Sequence, residues 1–154
     1  MKTKYKQGWY KLVNPEKYIT PLDEHMQSSK FGHVLYKSSL ELKAIRYADF
    51  NKHITKWGLE PFGIPYIKPT DGKVHRYFID LFIILKDIKV LIEIKPKSQT
   101  VKPRIPSIKT PKSIRNYQYA LQTYYINVAK WKSAREFCEK RNMKFIILTE
   151  EDLK

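Results

Sequence analysis

A single cysteine, Cys138, and four histidines are all that this 154-residue chain has of the residues that build disulfides and zinc clusters. One cysteine excludes an internal disulfide and fits a reducing compartment. Cys138 sits among apolar residues at helical spacing and reads as a small core hydrophobe. His25, His33, His53 and His75 have neither metal-ligand spacing nor a cysteine partner, which excludes an ordinary zinc site. His75 is read as incidental. No apolar run approaches the ~18 residues of a membrane span, so no membrane partner is expected. The opening "MKTKYKQGWYKLVNPEKY" lacks the apolar stretch of a signal peptide. Acid is scarce as well. Lys plus Arg number 30 against 15 Asp plus Glu, a net charge of +15. An excess of that size favours an anionic partner, and nucleic acid is the commonest.

What is present suits one folded domain. The chain is 42% hydrophobic and 14% aromatic, which excludes general disorder. Residues 1–37 carry Gly8, Pro15, Pro21 and Gly32 among polar and aromatic residues. They read as an irregular arm packed on the domain, with Trp9, Tyr10 and Tyr18 as anchors. A helix is expected over 38–53, capped by Ser38 or Ser39, with Glu41 in its first turn. Residues 54–69 read as one extended segment broken by Gly58, Pro61, Gly63 and Pro65. "PTDGK" (69–73) marks a turn through Asp-Gly. Residues 74–85 and 88–95 read as two apolar strands joined at Lys86-Asp87, covered on both faces. Residues 95–115 hold four prolines and seven basic residues without an acid, and the acid-free stretch continues to Arg135. A long helix is expected over 116–142, with a stripe of Tyr117, Leu121, Tyr124, Val128, Trp131, Phe137 and Cys138. A last strand, 144–149, and a polar tail follow. The order predicts a mixed α/β fold with the two apolar strands central in the sheet.

Those two strands carry charges where a core prefers aliphatics: Asp80, Glu93 and Lys95. Glu93 and Lys95 share a face because strand side chains alternate. A turn centred on 86–87 places Asp80 opposite Glu93, and opposed residues share a face. Two carboxylates one strand apart make a hard oxygen site for Mg²⁺ (or Mn²⁺). Without a cation they repel, and at least one titrates high. A lysine beside them suits the orientation of a water and the stabilisation of phosphoryl charge. The competing reading is a structural Glu93–Lys95 pair on an exposed face.

Glu41 on a helix, Asp80 on a strand and Glu93-x-Lys95 on the next strand resemble the PD-(D/E)xK nuclease superfamily, with its restriction-endonuclease-like fold. One departure is Ile79, where the motif has proline. Larger blocks widen the resemblance. "GWYKLVNPEKY" (8–18), "YKSSLELK" (36–43), "RYFIDLFI" (76–83), "LIEIKPKSQTVKP" (91–103) and "NVAKWKSAREFCEKRNMKF" (127–145) are similar in order and spacing to the head completion nucleases of T4-like tailed phages. That resemblance implies a nuclease domain over 38–154. It also implies a metal-dependent DNA endonuclease acting in head completion after DNA packaging, in the virion or in host cytoplasm during assembly. Its partners would be DNA and phage head or portal-neck proteins. Asp80, Glu93 and the Ile94 carbonyl would hold the metal, Lys95 would orient the water, and Glu41 would be an accessory acid. Arg76, Lys97, Lys102, Arg104, Lys109 and Lys130 are the expected DNA contacts. Asn127 and Gln99 are further polar candidates nearby. The alternative is a non-catalytic DNA-binding completion protein with a degenerate nuclease fold.

Overall fold

A computed structural model describes residues 6–19, 29–30, 32–61 and 63–154; His25 and Pro21 lie outside the described residues. Among the described residues, nine strands and two α-helices build a central sheet between the helices, a small second sheet and a hairpin. In chain order they are β1 (Gly8–Lys11), β2 (Ser29–Lys30), β3 (His33–Tyr36), α1 (Ser39–Phe50), β4 (Ile54–Leu59), β5 (Gly63–Ile67), β6 (Val74–Phe78), β7 (Leu81–Leu85), β8 (Ile88–Ile94), α2 (Pro111–Glu139) and β9 (Lys144–Leu148). The central sheet has the order β4-β7-β8-β9. Its first two pairings are antiparallel, and β8 pairs with β9 in parallel. α1 packs Ala44, Ile45 and Ala48 on one face, against Trp57, Leu81, Ile83, Ile92 and Ile94. α2 packs Trp131, Ala134 and Cys138 on the other, against Leu91 and the β5–β6 hairpin residues Ile64, Tyr66 and Tyr77. β7 and β8 are thus central and covered on both sides, as their apolar runs require. Cys138 is free and buried. No helix among the described residues is long and apolar enough to cross a membrane.

The stretch expected as one strand over 74–85 is two. β6 ends at Phe78 and pairs with β5; β7 begins at Leu81 and pairs with β4 and β8. The chain turns at Ile79-Asp80. There the Asp80 carbonyl accepts from the Glu60 amide at 3.1 Å, and Glu60 itself has φ 43°. Alternation of apolar residues does not register such a break, because both halves keep buried positions. The turns themselves fall where expected. Gly72, in the Asp-Gly turn, has φ +68°, and Leu85 pairs with Ile88 across Lys86-Asp87.

The first helix begins where Ser38 accepts from the Glu41 amide at 3.0 Å, and it ends at Phe50, three residues before the expected end. The second starts five residues earlier than expected. Thr110 and Ser113 form a reciprocal capping box, and Pro111 takes the first turn, where its missing amide proton is not needed. Of the expected apolar stripe on α2 only Trp131 and Cys138, in its lower part, are buried, joined there by Asn127 and Ala134. Tyr125 and Val128 are exposed. The reason is length. A helix of 29 residues runs about 43 Å, whereas a five-residue strand spans roughly 17 Å. The N-terminal turns of α2 therefore overhang the sheet.

The segment before α1 holds more order than its prolines and glycines suggest. β1, β3 and β2 form a small antiparallel sheet, and Leu12 and Val34 join the α1-side core. Asp49, fully buried, accepts from the Tyr10 hydroxyl at 2.7 Å and from the Val13 and Asn14 amides at 2.8 and 3.1 Å. The Lys17 ammonium donates to the Ala48, Asp49 and Asn51 carbonyls that close α1, complementing the negative helix end. Ile19 docks its amide on the Trp57 carbonyl at 2.8 Å, so close to Gly58 that a Cβ there would meet the Ile19 carbonyl at 2.9 Å. Tyr10 and Tyr18 pack as expected, but Trp9 is 55% exposed. It lies on the outward face of β1, whose burial alternates.

Candidate active site

The ladder between β7 and β8 runs Leu85–Ile88 to Leu81–Ile92, and one step further brings Asp80 beside Glu93. Asp80 stands just before β7, where the chain has left the ladder of β6. One of its carboxylate oxygens accepts the Ile94 amide at 2.8 Å. Glu93 is 4% exposed on the α2 side of β8. The Lys95 ammonium lies 3.5 Å from Glu93 Oε1. Asp80, Glu93 and Lys95 are therefore together, as the two-residue turn required.

Burial, then the charge of Glu93, raises the Asp80 carboxyl to about 7. Burial likewise raises Glu93, against the hydroxyl of Tyr77 and the ammonium groups of Lys95 and Lys130. The two carboxylates repel in a site where solvent screens them little. Glu41, in the first turn of α1, is raised to about 7, chiefly by burial and next by Asp80. It accepts the Lys37 amide at 3.3 Å, and the Lys37 ammonium pairs with Glu60 at 2.8 Å. Glu41 thus reaches Asp80 electrostatically from the opposite layer. Among the described residues, no three His, Cys, Asp or Glu side chains converge as a metal cluster. Asp80 and Glu93 suit a cation that takes one or two carboxylates and leaves its other positions to water and phosphate, as Mg²⁺ does.

Lys130 projects from α2 into this site. Its ammonium stands over the Tyr66 and Tyr77 rings, 5.7 and 5.6 Å from their centroids. Burial, then Lys95, lowers its pKa. The remaining basic candidates are spread more widely. Arg76 stacks its guanidinium on Phe78 at 5.4 Å, on the β5–β6 hairpin. Lys97 pairs with Glu151 at 2.9 Å, and its amide donates to Glu150. An exposed pair of this kind is worth little and releases its lysine readily. Lys102 stands over Tyr125 at 5.7 Å. Arg104 and Lys109 are exposed on the loop before α2. His75 pairs with Asp71 at 2.7 Å, beside the β5–β6 turn.

Sequence reasoning missed Tyr77, whose hydroxyl donates to Glu93 Oε2. In a continuous strand Tyr77 and Asp80 would face opposite ways. The break at 79–80 turns β6 so that Tyr77 joins the Glu93 face. It also missed Glu60 and Lys37, whose placement depends on the tight turn after β4. No local signal marked any of the three.

A family model described as TnsA-like endonuclease N terminal matches residues 51–150. The chain belongs to the TnsA-like endonuclease family. It is also 37% identical over 124 residues to the "Head completion nuclease" of Enterobacteria phage T4, which covers 79% of this chain and 81% of that protein. The mixed sheet between two helices is the restriction-endonuclease-like arrangement of this endonuclease family. The matched span holds Tyr77, Asp80, Glu93, Lys95 and Lys130. Glu41 lies outside it, on α1.

Proposed function

We propose that this chain is a divalent-metal-dependent DNA endonuclease that works in phage head completion, after packaging, among head and portal-neck proteins. The observation that carries the chemistry is the buried Asp80–Glu93 pair. Its mutual repulsion is only partly offset by Lys95 and Lys130, so the pair has unmet demand for a cation. Asp80, Glu93 and the Ile94 carbonyl would hold Mg²⁺ or Mn²⁺, with Glu41 as an accessory acid. The metal, when bound, supplies Lewis acidity toward phosphate oxygen and lowers the pKa of bound water.

The chain's own groups do the rest. The Ile94 amide fixes the orientation of Asp80. Tyr77 holds one oxygen of Glu93, and Lys95 faces the other. Lys95 orients the attacking water and offsets charge that develops on the phosphate. Water oxygen bonds to phosphorus and gives up one proton to solvent, the bond to the 3′ oxygen breaks, and that oxygen takes up a proton from solvent in return. The products carry a 5′ phosphate. Lys130, Arg76 and the loop bearing Lys97, Lys102, Arg104 and Lys109 lie along the backbone of the DNA.

The test is cleavage of linear, circular and branched DNA with Mg²⁺ or Mn²⁺, beside EDTA and Glu93→Ala. Metal-dependent cutting that disappears in the variant supports the proposal. Salt-sensitive binding without cutting by the folded protein overturns it, in favour of a non-catalytic completion factor.

A further inference from the structure

A cleft of about 340 Å³ opens between the segment after Lys95 and the overhanging turns of α2. Its walls include Gln99, Val101, Tyr119, Thr123, Tyr124 and Asn127. The size falls at the low end of small-ligand clefts, roughly 300–1,000 Å³. Two features single it out. Asn127 is only 6% exposed, yet its side-chain amide makes no hydrogen bond to any described residue. The polar atoms of this amide keep their access to solvent through the cleft, so its donors and acceptor are open to a ligand there. Tyr119, in the same wall, is 73% exposed, far more than a ring that serves packing alone.

The position relates the cleft to the carboxylates. Asn127 precedes Lys130 by three residues on α2, so the two share a face about one turn apart. Gln99 follows Lys95 by four residues. The surroundings carry the charge of a polyanion's partner. No acid occurs from Lys95 to Arg135, and Lys102 stands over Tyr125 at the rim. Tyrosine faces in a basic groove are the elements that hold unpaired nucleic acid, by stacking its bases and tracking its phosphates.

We infer that this cleft receives an unstacked nucleotide of the substrate strand, with its base against Tyr119 and Tyr124 and its edge on Asn127. The inference rests on the nuclease reading and deepens it. The preferred substrate is DNA with single-stranded character beside the cut: a frayed end, a flap or a junction arm.

The test measures binding in EDTA, so that cleavage does not enter, using the full chain. Fluorescence anisotropy follows a labelled oligothymidylate of roughly 15 nucleotides, an abasic strand of equal length and a blunt duplex. The double variant Tyr119→Ala, Tyr124→Ala should bind the oligothymidylate about tenfold more weakly, the scale of one or two lost stacks. Its binding to the duplex and the abasic strand should stay within about twofold, since phosphate contacts remain. Tyr119→Phe with Tyr124→Phe keeps both rings and should bind as wild type does. Unchanged oligothymidylate binding by the alanine pair overturns the inference. So does an equal loss on all three probes. If cleavage proves absent while this pattern holds, the cleft stands and the nuclease reading fails.

Discussion

Glu41→Gln should make the metal-free protein more stable, and by an amount that depends on pH. In the folded chain Glu41 is raised from 4.5 to about 7, by burial and then by Asp80. A carboxyl raised on folding binds its proton more tightly in the native state. Its ionisation therefore lowers stability progressively as pH climbs from its unfolded value toward 7, and the loss levels off above that. The rise corresponds to roughly 3 kcal/mol. Residual solvent access and the lost first-turn carboxylate of α1 bring the expected gain to about 1–2 kcal/mol. Glutamine keeps the side chain's length and its acceptor for the Lys37 amide. Urea unfolding in EDTA should show no difference near pH 4.5, a widening one to pH 7 and a constant one beyond it. A difference independent of pH, or a variant less stable at pH 8, would refute the reasoning. The proposed accessory role gives the same variant a lower cleavage rate with metal, so stability and activity should move in opposite directions.

Lys95→Ala should abolish cleavage yet leave duplex affinity within about threefold, because one ammonium among many contributes little to backbone binding; gel shifts beside a nicking assay check both. Tyr77→Phe removes the donor that opposes the upward shift of Glu93, so the acidic limb of the pH–rate profile should move to higher pH. Asp49→Ala strands the Tyr10 hydroxyl and two arm amides and should cost about 3–5 kcal/mol in urea unfolding, with no change in duplex affinity of the folded protein. Mn²⁺ should raise the melting temperature of the wild type and do so less for Asp80→Asn, because a ligand that binds only the native state stabilises it.

Much of the site was legible because its parts are local. The turn at Lys86-Asp87 sets the ladder, the ladder brings Asp80 beside Glu93, and alternation puts Lys95 on the Glu93 face. Ser38 marks the start of α1 through the hydroxyl it offers to the Glu41 amide. Lys97, placed as a phosphate contact because it brackets the two strands, also pairs with Glu151, 54 residues further along the chain, which no local pattern shows. The α2 stripe misled for a different reason. Periodicity reports which face is apolar, not how far the sheet beneath extends.

By itself the sequence determined the mixed α/β class, the apolar central strands, the carboxylate–lysine trio and the excess of positive charge. These follow from short-range rules: strand alternation, turn chemistry and composition. Only the tertiary structure decided that β6 and β7 part at Ile79-Asp80, that Tyr77 reaches Glu93, and that Glu41 bears on Asp80 from the opposite layer. It alone left Asn127 buried and unpaired beside a cleft. Each of these depends on contacts between residues far apart in the chain, where packing decides the outcome and local preference is silent.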